Sequence, residues 1–452
     1  MTAAAAACAS ISTASAPEAS EPISSSLALS TFDTLWAVVR NTYVDTAFVA
    51  SRWIGVRDTL RPRAALVSNR NDLNDLLAKT LKRIPDSHFY IIPEHAALAS
   101  DTDTSGAGGT TGLDIRAIGD KAIAWRVEAG SPAARSGIEP GQTIVRIGNR
   151  DLSAALRQIE ALPVAGRPRA LSEVLHSFNH AVSPSTGTRV LARVETTGGK
   201  SVDHELVAVP ATGTVSQFGN LPPIAGRVVA EKIGGQNASC VGVIAFNIWL
   251  PALVPEIEKG MADIGSCMGV VIDLRGNPGG VGAMVMGFGG YFVDSAISLG
   301  TMRSRQLSLH FAMNPRRVRS DGSSMTPFTG PLAILVDPMT ASTSEIFAAG
   351  MQRIGRARVF GERSAGAALP ALMDRLPSGD VFVHAVADFT DPDGNRIEGA
   401  GVVPDEITPL SGKDLADGRD TALEAAVRWI RSNPAARRTP VSQQGSVHPN
   451  FN

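Results

Sequence analysis

Apolar residues return at helical spacing over residues 31–44, as Phe32, Leu35, Trp36, Val39 and Tyr43, and again over 71–81, as Leu73, Leu76, Leu77 and Leu81. These stripes predict a small helical domain, residues 30–97, with its helices ending near Pro85. Residues 98–110 are small, polar and rich in glycine, a linker composition. The pattern then changes to short β-like runs, 113–118, 122–127, 143–147, 189–195 and 204–209. They predict a β-rich domain over 108–210, with a short helix and turn at 131–141 and an insertion at about 156–185. From 221 to 409 apolar runs alternate with helical segments, the signature of an α/β unit with a partly parallel sheet, here 220–412. Val241–Phe246, 269–274 and Leu332–Val336 are its expected central strands. Residues 413–452 read as a C-terminal helix and polar tail, and the Ala- and Ser-rich residues 1–29 as a flexible leader. The expected fold class is multidomain α/β.

Length and charge fit this division. A chain of 452 residues, 44% hydrophobic, exceeds what one core encloses. The net charge of -1, with no block of Lys or Arg, excludes a general attraction to nucleic acid. No apolar run reaches the length of a membrane span. The leader has no Lys or Arg before Arg40, so it lacks the positive start of a signal peptide. Its Ala5-Ala6-Ala7-Cys8 has the small residues of a lipoprotein cleavage site without the apolar segment that should precede them. Of the three cysteines, Cys240 and Cys267 open two predicted strands. Pairing and a pair of buried thiols are both open, and the burial habit of free cysteine favours the thiols. His176 and His180 share a helical face, but Ser177-Phe178-Asn179 between them lacks the glutamate of a zinc protease. They are expected on a solvated face, and neither a metal nor a cofactor is expected.

Two stretches carry candidate chemistry. Leu332-Ala-Ile-Leu-Val-Asp-Pro-Met-Thr-Ala-Ser-Thr-Ser-Glu-Ile346 reads as a strand, a turn at Pro338 and a helix whose first turn starts at Ser342. Unpaired N–H groups and the positive dipole end at that place favour a developing oxyanion. The same spacing of Ser342 and Glu345 also fits an ordinary capping box. In Gly269-Val-Val-Ile-Asp-Leu-Arg-Gly-Asn-Pro-Gly-Gly280 a buried strand runs into a loop whose bare Gly279 and Gly280 let backbone N–H groups approach a carbonyl.

Together these stretches resemble the C-terminal processing peptidases, whose pattern is Asp-Leu-Arg-x-Asn-Pro-Gly-Gly followed by Ser-x-Ser-Glu-Ile. Gly399-Ala-Gly-Val-Val-Pro-Asp405 matches the motif that closes their core. The resemblance spans about residues 30–430 and implies a crotonase-like α/β core with Ser342 as nucleophile. It also shows a departure. The common branch activates its serine with a lysine in Phe-Gly-Lys-Gly, where this chain reads Ser364-Ala-Gly-Ala367, and no lysine lies between Lys259 and Lys413. Arg363 cannot serve, because a guanidinium accepts no proton.

The branch resembling the tricorn protease core takes its base from a Ser-His pair. That resemblance assigns His88 as base, with Ser87 and Glu398 supporting it, and the oxyanion to backbone N–H groups of Gly279, Gly280 and Thr343. The β-rich domain resembles a PDZ domain, with Gly112, Leu113, Asp114 and Ile115 as its carboxylate-binding loop. It implies a protein or peptide substrate held by strand addition. An exported, periplasmic or extracellular enzyme follows from the family. Hydrolysis of small esters uses the same apparatus. The missing lysine leaves a second reading, a catalytically inactive scaffold that binds peptides or ligands. Oligomeric state is left open.

Overall fold

The computed structural model describes residues 21–94, 108–196, 198–220, 223–235 and 239–433. Most of the leader with Cys8, most of the 98–110 linker and the tail beyond 433 lie outside the described residues.

The first helix, α1 (Ser25–Thr42), starts earlier than its apolar stripe predicts, because the Ser24 hydroxyl accepts the Leu27 N–H and caps it. Its Ala28, Phe32, Leu35, Trp36 and Val39 face α2 (Val56–Ala64) and α3 (Arg70–Leu81), which contribute Leu60, Leu73, Leu77 and Leu81. Residues 46–64 have no clean helical stripe, since a π-turn at Val49–Trp53 and Pro62 interrupt them. Trp36 and Trp53 lock the two sides by exchanging indole N–H bonds to each other's carbonyl, 3.2 and 3.0 Å. After α3 the chain turns through Ser87 and His88 into strand β1 (Phe89–Ile92).

The next unit is an antiparallel sheet of β2 (Leu113–Ile118), β3 (Lys121–Val127), β4 (Thr143–Ile147), β5 (Arg189–Glu195) and β6 (Ser201–Val207), in that order, with β2 on the edge. The stretch expected to be an insertion supplies α5 (Arg167–Ala181) and most of α4 (Leu152–Glu160). Their Leu156, Ile159, Leu175 and Phe178 join Leu113, Ile115 and Ile144 in one core. These helices therefore form one wall of the unit.

The sheet of the third unit runs β7 (Val228–Ile233), β8 (Val241–Phe246), β9 (Gly269–Asp273), β10 (Leu332–Val336), β11 (Arg358–Gly361) and β14 (Glu406–Ile407), the last five mutually parallel and β7 antiparallel. Every residue of β9 and β10 is buried, as a parallel sheet covered on both faces requires. Alternation sorts the two sides. Val241, Val243, Ala333 and Leu335 meet Ala426 and Ile430 of α8 (Thr421–Ser432). Ile244, Phe246, Ile334 and Val336 meet Ile257 of α6 (Val254–Ile264) and Phe347 of α7 (Thr343–Arg353).

Cys240 and Cys267 form a disulfide, so the reading as two buried thiols is corrected. They sit immediately before and two residues before parallel neighbours paired Val241 to Gly269, a register that leaves their Cα atoms 4.8 Å apart. A small antiparallel sheet completes the scaffold of the site: β1 pairs with β13 (Val381–Ala385), which pairs with β12 (Ala371–Arg375). This pairing docks the end of the helical segment onto the core.

Candidate active site

Two elements meet behind Ser342. Strand β10 ends at Val336, and Asp337 folds back as an acceptor for the N–H groups of Gly276 (2.9 Å) and Met339 (3.0 Å). Burial pushes the Asp337 carboxyl upward, but the Arg116 guanidinium 2.6 Å away and the Gly276 N–H outweigh it and hold it below its ordinary value. The turn then carries Ser342 at φ +55°, ψ -121°, far from the extended conformation of an ordinary N-cap. Among the described residues only Ser342 and His88, at φ +60°, are non-glycine residues with positive φ. Such backbones cost about 1–3 kcal/mol each and persist where their surroundings over-determine them.

Glu345 supplies that determination around Ser342. Its Oε2 accepts the N–H groups of Ser342 (3.1 Å) and Ala367 (2.9 Å), and its Oε1 accepts Ser364 Oγ (2.5 Å) and Gly366 N–H (2.7 Å). Burial raises its carboxyl to about 7, opposed by these four donors. The lysine-less loop 364–367 is thus tied to Ser342 through one buried carboxylate. The sequence offered Glu345 only as a cap, and the apolar strand and helix on either side of it were the signal that it is buried.

On the other side, the structure brings together the four side chains expected there. His88 Nε2 lies 3.3 Å from Ser342 Oγ, His88 Nδ1 is 2.7 Å from Ser87 Oγ, and Ser87 Oγ is 2.9 Å from Glu398 Oε2. Glu398 also accepts the N–H groups of Ser87 (2.7 Å) and Ala368 (2.8 Å). Burial pushes its carboxyl up against those bonds. The one proton of Ser87 Oγ goes to the carboxylate, so its oxygen accepts from His88 Nδ1–H, which leaves the Nε2 lone pair facing Ser342. Burial, then the charge of Arg169, lower His88 to about 4, and its ring is neutral at neutral pH. Arg169 comes from α5, where its Nη1 donates to Pro85 O at 2.9 Å.

The backbone donors separate. Thr343 N–H and Gly280 N–H make no hydrogen bond within the described structure. Gly279 N–H is taken by Asn277 Oδ1 at 2.9 Å, which corrects its expected place among the oxyanion donors. What Gly279 contributes is space, since a Cβ there would stand 2.7 Å from Ser342 Cβ. Thr343 Oγ1 fastens the glycine loop to the helix by donating to Gly280 O at 2.8 Å.

Gly112, Leu113, Asp114 and Ile115 lie elsewhere. Gly112 and Asp114 line a cavity of about 820 Å³ between the second unit and the core, which neither His88 nor Ser342 lines. At the edge of β2, Asn179 of α5 accepts Ile115 N–H (2.8 Å) and donates to Ile115 O (3.0 Å), so this part of the edge is already paired. His176 corrects the expectation of a solvated face: it is half-buried on the same cavity, donating to Ser172 O from Nδ1, whereas His180 is exposed. Among the described residues no His, Cys, Asp and Glu cluster suits a metal ion, and no helix is long and apolar enough to cross a membrane.

Known proteins are similar to this chain in sequence and fold. Residues 241–408 match the model of peptidase family S41, and residues 29–82 that of the tricorn protease C1 domain. The carboxyl-terminal-processing protease of a Picosynechococcus strain is 26% identical over 380 residues, covering 83% of this chain and 81% of the relative. The chloroplastic C-terminal processing peptidase of Tetradesmus obliquus is 25% identical over 415 residues, 89% of this chain and 80% of the relative. The solved photosystem II D1 C-terminal processing protease shares the fold with a TM-score of 0.56 at 20% identity, over 91% of this chain and 99% of that one. With its motifs in order on that fold, the chain carries a peptidase family S41 domain over residues 241–408 and is similar along most of its length to carboxyl-terminal-processing proteases.

Proposed function

We propose that this peptidase cleaves peptide bonds with Ser342 as nucleophile and His88 as its base, in place of the lysine of the common branch. The observation that carries the reading is the unbroken line from Glu398 through Ser87 and His88 to Ser342. His88 Nε2 takes the Ser342 proton as Oγ bonds to the scissile carbonyl carbon. The oxyanion accepts N–H bonds from Gly280 and Thr343. The imidazolium then gives its proton to the leaving amine as the C–N bond breaks, and water repeats the sequence to release the acyl group. Glu398, through Ser87, steadies the positive ring.

The domains of this reading are a helical domain at 30–97 that carries the base, a PDZ-like domain at 108–210 and a crotonase-like peptidase core at 220–412. The PDZ-like domain holds an extended chain or C-terminus of a protein substrate along β2, and displacement of the Asn179 amide frees Ile115 for it. The disulfide suits an oxidising compartment, which supports an exported enzyme, periplasmic or extracellular.

The test is cleavage of unfolded casein at about pH 7.5, where neutral His88 is the competent base. Ser342→Ala and His88→Ala, folded by circular dichroism, are expected to lose activity by about 10⁴-fold, and Glu398→Gln by about 10²-fold. Activity persisting in folded His88→Ala would refute the histidine base.

A further inference from the structure

The base sits on a strained loop, and a second pair of side chains, apart from the catalytic line, holds that loop. Residues 85–88 and 396–398 are both loop segments, 310 positions apart at their nearest ion pair, Asp86 to Arg396. Ser87 reaches Glu398 across the gap. One residue before Ser87 and two before Glu398, the Arg396 guanidinium grips Asp86 with both terminal nitrogens, Nη2 to Oδ2 at 2.7 Å and Nη1 to Oδ1 at 3.2 Å. Its remaining Nε is fixed by Asp388, at 2.9 and 2.8 Å. Tyr43, at the end of α1, donates its hydroxyl to Asp86 Oδ2 at 2.7 Å. Burial, then the Asp86 bond, push the Tyr43 phenol well above its ordinary range, so it stays a donor at any working pH. The Asp86 side chain is 13% exposed and that of Arg396 40%. A bidentate Arg–carboxylate pair fixes orientation as well as distance.

We propose that Asp86 and Arg396 are positioning residues for the base: their clamp, steadied by Tyr43 and Asp388, holds the Ser87–His88 loop against the Glu398 loop and keeps Nε2 aimed at Ser342. Neither touches a reacting atom. The inference rests on the reading of His88 as base, and it adds that the imidazole depends on a charge pair in which the helical segment takes part. Without the clamp, His88 is free to leave the positive-φ conformation that points its ring at the nucleophile.

The experiment is a double-mutant cycle with Asp86→Asn, Arg396→Gln and the double variant, beside His88→Ala. Activity is normalised to sites titrated with a fluorophosphonate, so that misfolded protein does not count. Each single variant is expected to lower kcat per titrated site by about 30-fold with KM within about threefold, and the double variant by no more than the worse single. Unchanged kcat per titrated site in both single variants, or losses that multiply in the double, overturns the clamp. Should a charge variant fail to fold, Tyr43→Phe keeps the ring and removes only the hydroxyl donor. An expected loss of about threefold in kcat then carries the test, and no loss overturns it. If folded His88→Ala stays active, the histidine reading falls and the clamp with it; if His88→Ala is dead while the clamp variants are fully active, only the clamp falls.

Discussion

The two halves of the candidate site are built in opposite ways. The nucleophile half is local: one strand, one turn, one helix and a glycine loop from the neighbouring strand, bound through Asp337 and Glu345. The base half is assembled from distant pieces: a turn after α3, a strand added to β13, the Glu398 loop and an arginine from α5. A local half stands or falls with a few buried hydrogen bonds, whereas an assembled half can be tuned from several places at once. Changes on the nucleophile side should therefore be steep and those on the base side graded.

Outside the line from Glu398 to Ser342 itself, the steepest break is Glu345→Gln. Each carboxylate oxygen takes two donors, and an amide has one acceptor oxygen, so two of the four donors lose their partner and face an N–H₂ group. Titrated kcat is expected to fall by about 10²-fold or more with little change in KM. A loss under about threefold would show that the loop 364–367 holds itself. Next comes Asn179→Ala, which frees the Ile115 edge; binding of an extended peptide to the Ser342→Ala protein, followed by calorimetry, should tighten by about tenfold. Weaker binding would mean that the amide belongs to the groove. The smallest effect sharpens the base side. His88 works as a base only when neutral, so kcat/KM should fall as pH drops through about 4. The charge of Arg169 disfavours the imidazolium, and Arg169→Gln should move this acid limb upward by less than about one pH unit. A limb that stays in place would remove Arg169 from the account.

The same contrast governs what could be read from the chain. Val241–Phe246, 269–273 and Leu332–Val336 were legible because a strand buried on both faces is continuously apolar. The nucleophile turn was legible because its parts are adjacent in sequence. The start of α1 was hidden, since Ser24 and its neighbours have the composition of a leader and act as a cap only in context. Residues 46–64 were hidden by a π-turn and an internal proline. Cys240 and Cys267 became partners through parallel register, which their separate apolar runs do not encode. On the base side the motif order named Ser87, His88 and Glu398 through resemblance alone. Asp86 and Arg396 give no local sign of their pairing, and Asn179 takes its role from the backbone of Ile115, 64 positions away.

The two positive-φ residues bear on how an inert form of the enzyme is best made. At φ +55° an alanine is as strained as the serine it replaces, while glycine visits that region freely. Ser342→Gly should therefore silence the enzyme while relieving its backbone, giving an inactive protein that melts higher than the Ser342→Ala form. For trapping an uncut substrate it is the better substitution. It would also reveal, as a gain in heat resistance, how much durability the chain forgoes to hold a hydroxyl at that angle.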